Sequence, residues 1–316
     1  MISLVMTTYN GEKYINEQLD SILNQSVQPD EVLIFDDGSV DQTVILVNDY
    51  IKRHKLSNWK IHVNKENLGF NKNFRHALNG SNGDIVFLCD QDDIWMKDKI
   101  EKMMLHLNRD NILSLASDFV LIDENGKNIN SNNIRDKYGM LDFNINEFSI
   151  VEVSYEDLLM KNYAQGCTMA VKKELIQLLK QDETNNLEHD WSLSLIAAIH
   201  KGCYFYKEPL IKYRVHSDNA IGLDTIQLAD KKRMKSREDV VSLELQRILF
   251  SLQYANQNDK IYQNLKFRKE YYELRIQLIQ KRKVFSLLSL SLFSKYRKLA
   301  KIRPILGDIT SILKKY

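Results

Sequence analysis

Proline and glycine are scarce, three and eleven among 316 residues, which excludes collagen-like repeats and Pro-rich character. The three cysteines, Cys89, Cys167 and Cys203, are odd in number and far apart, with no C-x-x-C pair. Neither a disulfide framework nor a thiolate zinc site is expected, and reduced thiols point to the cytoplasm. Long apolar runs are missing too. The start of the chain offers a short apolar stretch before Thr7 and no basic region, so no secretory signal is expected. What is present is 44% hydrophobic and 27% charged residues of near-balanced sign, enough to bury a core and too little imbalance for global disorder. The net charge of +2 conceals an asymmetry: residues 225–316 hold 21 Lys+Arg against 8 Asp+Glu, leaving 23 against 34 for residues 1–224. The two parts should meet different partners.

Apolar runs of strand length alternate with helical periodicity in the first half. Ile2–Met6, Val32–Phe35, Ile61–Val63 and Ile85–Cys89 read as strands, and Tyr14–Leu23 and Val44–Ile51 as amphipathic helices, with Ser39 and Asp41 resembling a helix start. This pattern predicts βαβ crossovers and an α/β fold with a mostly parallel sheet flanked by helices. Further strands are expected at Ser114–Ile122, Thr168–Val171 and Leu210–Arg214, an Asn-rich excursion at 123–133, and helices at Lys97–Leu107 and Trp191–Ile199. From about Leu223 the character becomes basic and helical, giving two domains, 1–224 and 225–316.

Polar loops follow the strands: Thr7-Thr8-Tyr9-Asn10-Gly11, Asp36-Asp37-Gly38-Ser39, Asn67-Leu68-Gly69 and Asp90-Gln91-Asp92-Asp93. In an open α/β sheet these strand ends bind ligands. The strand Phe87-Leu88-Cys89 delivers three carboxylates into one loop, and clustered carboxylates repel unless a cation joins them. Oxygen ligands at this spacing suit Mn²⁺ or Mg²⁺ bridging to substrate phosphate. An acidic helix N-cap is the competing explanation. Asp37 suits the acceptor that a pyrimidine imide N–H needs, and Tyr9 the flat partner for its ring, although Asp37-Gly38 alone also reads as an ordinary turn.

The runs V-M-T-T-Y-N-G (5–11), F-D-D-G-S-V-D (35–41), E-N-L-G-F (66–70) and C-D-Q-D-D-I-W (89–95) together resemble glycosyltransferase family 2, an inverting family with the GT-A fold, which is Rossmann-like. The D-Q-D-D-x-W form resembles its rhamnosyltransferase-like branch, and the similarity covers roughly residues 1–222. The resemblance implies that Thr8, Tyr9 and Asp37 hold the base, that Asp90 lies near the ribose and Asp92 ligates the metal, and that Arg75 reaches a phosphate. Glu188-His189-Asp190-Trp191 is similar to the segment carrying the family's general base, which makes Asp190 the base. The family often has adjacent Glu-Asp here, and this chain interposes His189, itself expected as a solvated helix-cap residue. Tyr213–Asn219 resembles the loop that closes over the diphosphate, with His216 a metal ligand and Arg214 a phosphate partner. Gln165-Gly166-Cys167, with Trp191, is similar to the lining of the sugar and acceptor site.

The implied activity is metal-dependent transfer of a sugar, L-rhamnose among the candidates, from a dTDP- or UDP-sugar to a hydroxyl of a polysaccharide or lipid-linked glycan precursor. A nucleotidyltransferase also combines an α/β sheet with metal-binding carboxylates, but would want a Gly-rich phosphate loop that Thr7–Gly11 is not. A non-catalytic scaffold working through its basic tail is a third reading. In that tail, residues 284–293 form an uncharged run of ten flanked by Lys281-Arg282-Lys283 and by Lys295, Arg297 and Lys298. This is too short to span a bilayer. It suits a helix on the anionic inner face of the cell membrane, and equally a helix packed on protein, a homodimer partner included. No nucleic-acid-binding motif is found.

Overall fold

A computed structural model of the chain describes residues 1–129, 149–179, 187–216, 237–284, 286, 299 and 302–313. It divides into two compact units, Met1–Gly222 and Leu223–Tyr316. In the first, β1 (Ile2–Thr8), α1 (Ile15–Leu23), β2 (Glu31–Asp36), α2 (Thr43–His54), β3 (Trp59–Val63), α3 (Phe70–Gly80) and β4 (Ile85–Cys89) alternate as expected. β5 (Ile94–Trp95), α4 (Lys99–Leu107), β6 (Ser114–Ile122), β7 (Ile150–Glu152), α5 (Tyr155–Met160), β8 (Met169–Lys172), α6 (Lys173–Leu178), α7 (His189–Ile199) and β9 (Cys203–Arg214) complete it. The sheet runs β3-β2-β1-β4-β8-β6-β9-β5, with β7 also on β9.

In the parallel block β3-β2-β1-β4, β3 is the edge and β1 and β4 are interior strands. Leu4, Val5, Met6, Val86, Phe87 and Leu88 are fully buried, because a parallel strand covered on both faces needs a continuous apolar run rather than an alternating one. The register sets the ends level: Thr8 lies opposite Asp36 and Met6 opposite Cys89. The segments after β1, β2 and β4 therefore emerge together at one edge. β8 enters antiparallel between β4 and β6, and the two-residue β5 pairs with β9 through Trp95 and Ile211. That pairing folds the acidic loop back against the end of β9.

The helix start expected at Ser39 and Asp41 is borne out: α2 begins at Thr43, whose N–H donates to Asp41 Oδ1, while Ser39 Oγ donates to Asp36. One local expectation is corrected: the last strand begins at Cys203 rather than Leu210. Pro209 lies opposite Asp118 at an irregularity in the β6–β9 register, where a strand tolerates a residue without an N–H. α7 is buried at nearly every position, as its Leu-Ser-Leu-Ile-Ala-Ala-Ile sequence requires.

The second unit contains α8 (Arg237–Tyr254), α9 (Lys260–Gln280) and α10 (Ile302–Leu313). Asp308 is fully buried and accepts two bonds from the Arg275 guanidinium, with Arg237 Nε 2.7 Å from its Oδ1. One carboxylate thus joins all three helices. No helix among the described residues is long and apolar enough to cross a membrane. The run 284–293 lies, apart from Val284 and Ser286, outside the described residues, as do 130–133 of the Asn-rich excursion and Ser217–Asn219.

Candidate functional site

The three loops at the sheet edge hold one another. Asp36, at the end of β2, accepts from Thr8 Oγ1 and from the Gly38 and Ser39 N–H groups. Asp37 is 3% exposed; its Oδ1 accepts from Asn64 Nδ2 and the Leu68 N–H, its Oδ2 from the Gly69 N–H, all at 2.8 to 2.9 Å. The E-N-L-G segment is thus wrapped on one carboxylate. These loops and α7 border a cavity of about 320 Å³ whose lining includes Thr8, Tyr9, Asp37, Gly166 and Asp190. Asp90 and Asp92 lie on its wall.

Burial, and then the neighbouring Asp93 and Asp92, push the Asp90 carboxyl well above the usual carboxylate range. Asp93 is driven up to about 7 by burial and by Asp92, while its Oδ1 accepts the Arg214 N–H at 3.0 Å. Its Oδ2 has no hydrogen-bond partner among the described residues. Asp90, Asp93 and Cys167 each offer a ligand atom, and these atoms lie within 4.8 Å of one another. Asp92 is paired differently: its Oδ2 is 2.9 Å from His216 Nε2, and the His216 ring packs on Tyr14. Two ligands at adjacent corners of an octahedron with bonds near 2.1 Å would be about 3 Å apart, so this O/N pair fits a divalent cation. Beneath the loop Lys99 is fully buried. Its Nζ donates to the Cys167 carbonyl at 2.7 Å and lies 3.9 Å from the Trp95 ring centre, and burial pushes its pKa down to about 8.

Asp190 opens α7 and is 7% exposed. It accepts from the Trp191 N–H at 2.6 Å and the Gly166 N–H at 3.2 Å, yet burial, reinforced by Glu188, raises it to about 7. It can therefore exchange a proton near neutral pH. His189 is not the solvated cap expected from sequence. It is 5% exposed and stacks on Phe74, with ring centres 4.1 Å apart. Burial, and then Arg75, lower its pKa to about 3, leaving a neutral ring. A Cβ on Gly166 would come within 2.9 Å of its Nε2, so the glycine permits this close packing.

Other expected residues, His216 among them, are not part of the described cavity lining. Arg214 is 1% exposed; its Nε donates to the Asp92 carbonyl at 2.8 Å, and its guanidinium pairs with Glu17 and lies over Tyr14. It braces the acidic loop from behind. Trp191 Nε1 donates to the Leu158 carbonyl, and Cys167 is buried at the carboxylate cluster. Neither residue, nor Arg75, is part of the described lining. Sequence reading missed Lys99, although its place just ahead of Ile100, Met103 and Leu107, all buried, marks a cation next to an apolar stripe.

A sequence model of the family described as Glycosyl transferase family 2 matches residues 3–170. A dTDP-rhamnosyl transferase, RfbG, of Shigella flexneri is 30% identical over 241 residues, covering 72% of this chain and 78% of that protein. An uncharacterized glycosyltransferase of Haemophilus influenzae is 26% identical over 243 residues, 76% of this chain and 73% of its own. Among solved structures, S. aureus TarS 1–349 in complex with UDP is similar with a TM-score of 0.57 at 19% identity, covering 99% of this chain and 80% of that one. Mannosyltransferase PcManGT of Pyrobaculum calidifontis, in complex with GDP-Man and Mn²⁺, gives 0.54 at 15% identity, with 99% and 87% covered. Likeness at that identity speaks for the fold, and the fold is the expected GT-A arrangement.

Proposed function

The chain belongs to glycosyl transferase family 2 and is a glycosyltransferase, and from that premise we propose an inverting, metal-dependent transfer from a pyrimidine nucleotide diphosphosugar. The acceptor is a hydroxyl of a polysaccharide or lipid-linked glycan precursor, and L-rhamnose is the first sugar to try. The observation that carries this reading is the convergence of Asp37, Asp92 and Asp190, far apart in sequence, on one cavity. The similarity to a dTDP-rhamnosyl transferase and to TarS structures in complex with UDP and UDP-GlcNAc supports a nucleotide-sugar donor. Membership of the family sets the nucleotidyltransferase reading aside.

In this reading the base lies against Tyr9, with its imide directed at Asp37, beside Thr8. Asp90 serves the ribose. Asp92 and His216 would hold Mn²⁺ or Mg²⁺, which when bound offsets charge on the departing diphosphate. Arg214 acts by holding the Asp92 carbonyl and the Asp93 carboxylate in place, rather than as a direct phosphate contact. The acceptor hydroxyl attacks the anomeric carbon from the face opposite the nucleotide, and Asp190 takes its proton as the bond forms. The N–H groups of Trp191 and Gly166 keep that carboxylate aimed. Gly166 leaves room for the sugar beside His189. We also propose that the basic second unit rests on the anionic inner face of the membrane, where lipid-linked acceptors are found. Salt-sensitive sedimentation of the full chain with anionic vesicles, and its absence with neutral ones, is the expected result; a salt-insensitive dimer with no vesicle binding would contradict it.

The test is calorimetric titration with UDP, dTDP and GDP, with Mn²⁺ or with chelator, in wild type and Asp92→Ala. Metal-dependent pyrimidine diphosphate binding that the substitution abolishes is the expected outcome. Absence of all nucleotide binding would remove the donor site from the reading.

A further inference from the structure

Gln91 sits inside the acidic loop and takes no part in the mechanism above. Its side-chain amide pairs with the Tyr9 backbone in both directions: the Tyr9 N–H donates to Oε1 at 2.8 Å, and Nε2 donates to the Tyr9 carbonyl at 3.1 Å. Only an amide can do both, because a carboxylate has no proton to give the carbonyl. The fit is close. A Cβ on Gly11 would lie 2.3 Å from Gln91 Oε1 and 2.6 Å from its Cδ, so any larger residue at 11 would displace the amide.

The next residue is tied the other way. The Asn10 N–H donates to Ser39 Oγ, and Asn10 Oδ1 accepts the Val40 N–H, both at 2.9 Å. Asn10 itself has φ 48°, a left-handed conformation that asparagine tolerates. The Tyr9-Asn10 turn therefore hangs between the loop carrying Asp37 and the loop carrying Asp92. Tyr9 is 46% exposed and lines the cavity. Where it points depends on how its backbone is held.

We propose that Gln91 is a positioning residue for base recognition, which fixes the Tyr9 ring as the platform for the pyrimidine and locks that platform to the acidic loop. The distance between the base site and the diphosphate site is then set by one side chain. The inference rests on the reading that Tyr9 faces the base. It gives the glutamine of the D-Q-D-D motif a task that neither flanking aspartate could perform.

Calorimetry in the presence of Mn²⁺, with UDP and dTDP as probes against inorganic pyrophosphate, tests it in wild type, Gln91→Ala, Gln91→Glu and Gly11→Ala. Losing two hydrogen bonds to the turn should weaken UDP and dTDP about tenfold and narrow their advantage over GDP, while pyrophosphate binds within twofold of wild type. Gln91→Glu keeps the acceptor for the Tyr9 N–H and loses the donor to the Tyr9 carbonyl, so its UDP and dTDP binding should fall between wild type and alanine. Gly11→Ala should reproduce the effect by displacing the Gln91 amide with no substitution in the acidic loop itself, and in turnover KM should rise with kcat nearly unchanged. Equal weakening of pyrophosphate would mean that Gln91 serves the acidic loop alone, and unchanged UDP and dTDP binding would mean it has no such role; either result overturns the proposal. If wild type binds pyrophosphate and Mn²⁺ but no nucleoside diphosphate, the donor-site reading falls and takes this inference with it.

Discussion

Replacing Asp190 with asparagine should slow turnover sharply and make the protein more stable, and the second effect should depend on pH. The carboxylate has an ordinary pKa of 3.8 and one of about 7 in the fold, raised mainly by burial. Between those values the native state keeps a proton that the unfolded chain has lost, so stability falls as pH rises through that window and levels off above about 7. At roughly 1.4 kcal/mol per unit, the full window is worth about 4 kcal/mol. Asparagine has nothing to ionise. Its carbonyl can still accept the Trp191 N–H, but its NH₂ would face the Gly166 N–H, a mismatch costing about 1 kcal/mol. The advantage of Asp190→Asn over wild type should therefore be about 3 kcal/mol greater at pH 8 than at pH 5. In a domain of this size that is roughly 5–10 °C in melting temperature. Turnover should fall by about 10² to 10⁴, the usual worth of a general base, and wild-type kcat should climb with pH to a plateau above about 7. The assays are thermal unfolding of both proteins at pH 5 and 8 and a kcat profile over the same range. A variant retaining a tenth of wild-type kcat, or a stability difference that does not move with pH, would refute the assignment of Asp190.

Substituting His216 with alanine should weaken Mn²⁺-dependent nucleotide binding by about 10- to 100-fold, read by calorimetry, and leave metal-free nucleotide binding unaltered. Gly166→Ala should cost about 1–3 kcal/mol through crowding against His189 and reduce kcat by a larger factor than that stability loss explains, measured by urea unfolding and initial rates. Asp308→Ala should destabilise the helical unit by about 3–5 kcal/mol by leaving Arg275 buried without its partner. Limited proteolysis within residues 237–313 is the readout, and resistance equal to wild type would show that the ion pairs contribute little.

Much of the first unit was legible because its signals are local. The β1, β2 and β4 runs are apolar enough to be buried on both faces, and polar residues follow each at once, so the strands and the ligand-bearing edge follow from order along the chain. Asp37, Asp90, Asp92 and Asp190 stand out in sequence as residue types in recognisable runs, and all four line one cavity. β9 was read too short because Pro209 speaks locally against a strand, and only pairing with the irregular edge of β6 accommodates it. His189 looked solvated because a polar residue at a helix start usually is; its burial comes from Phe74 on α3, more than a hundred residues away. For Arg214 the family resemblance implies a phosphate contact, yet in the fold Glu17 and the Asp92 carbonyl engage its guanidinium. Sequence alone determined the order of elements, the charge division and the chemical types at the sheet edge, since periodicity and composition act over a few residues. The tertiary structure decided which carboxylates keep their protons, which cations are braces, and that Gln91 grips Tyr9, because desolvation and hydrogen-bond partnership depend on neighbours that only the packed fold brings together.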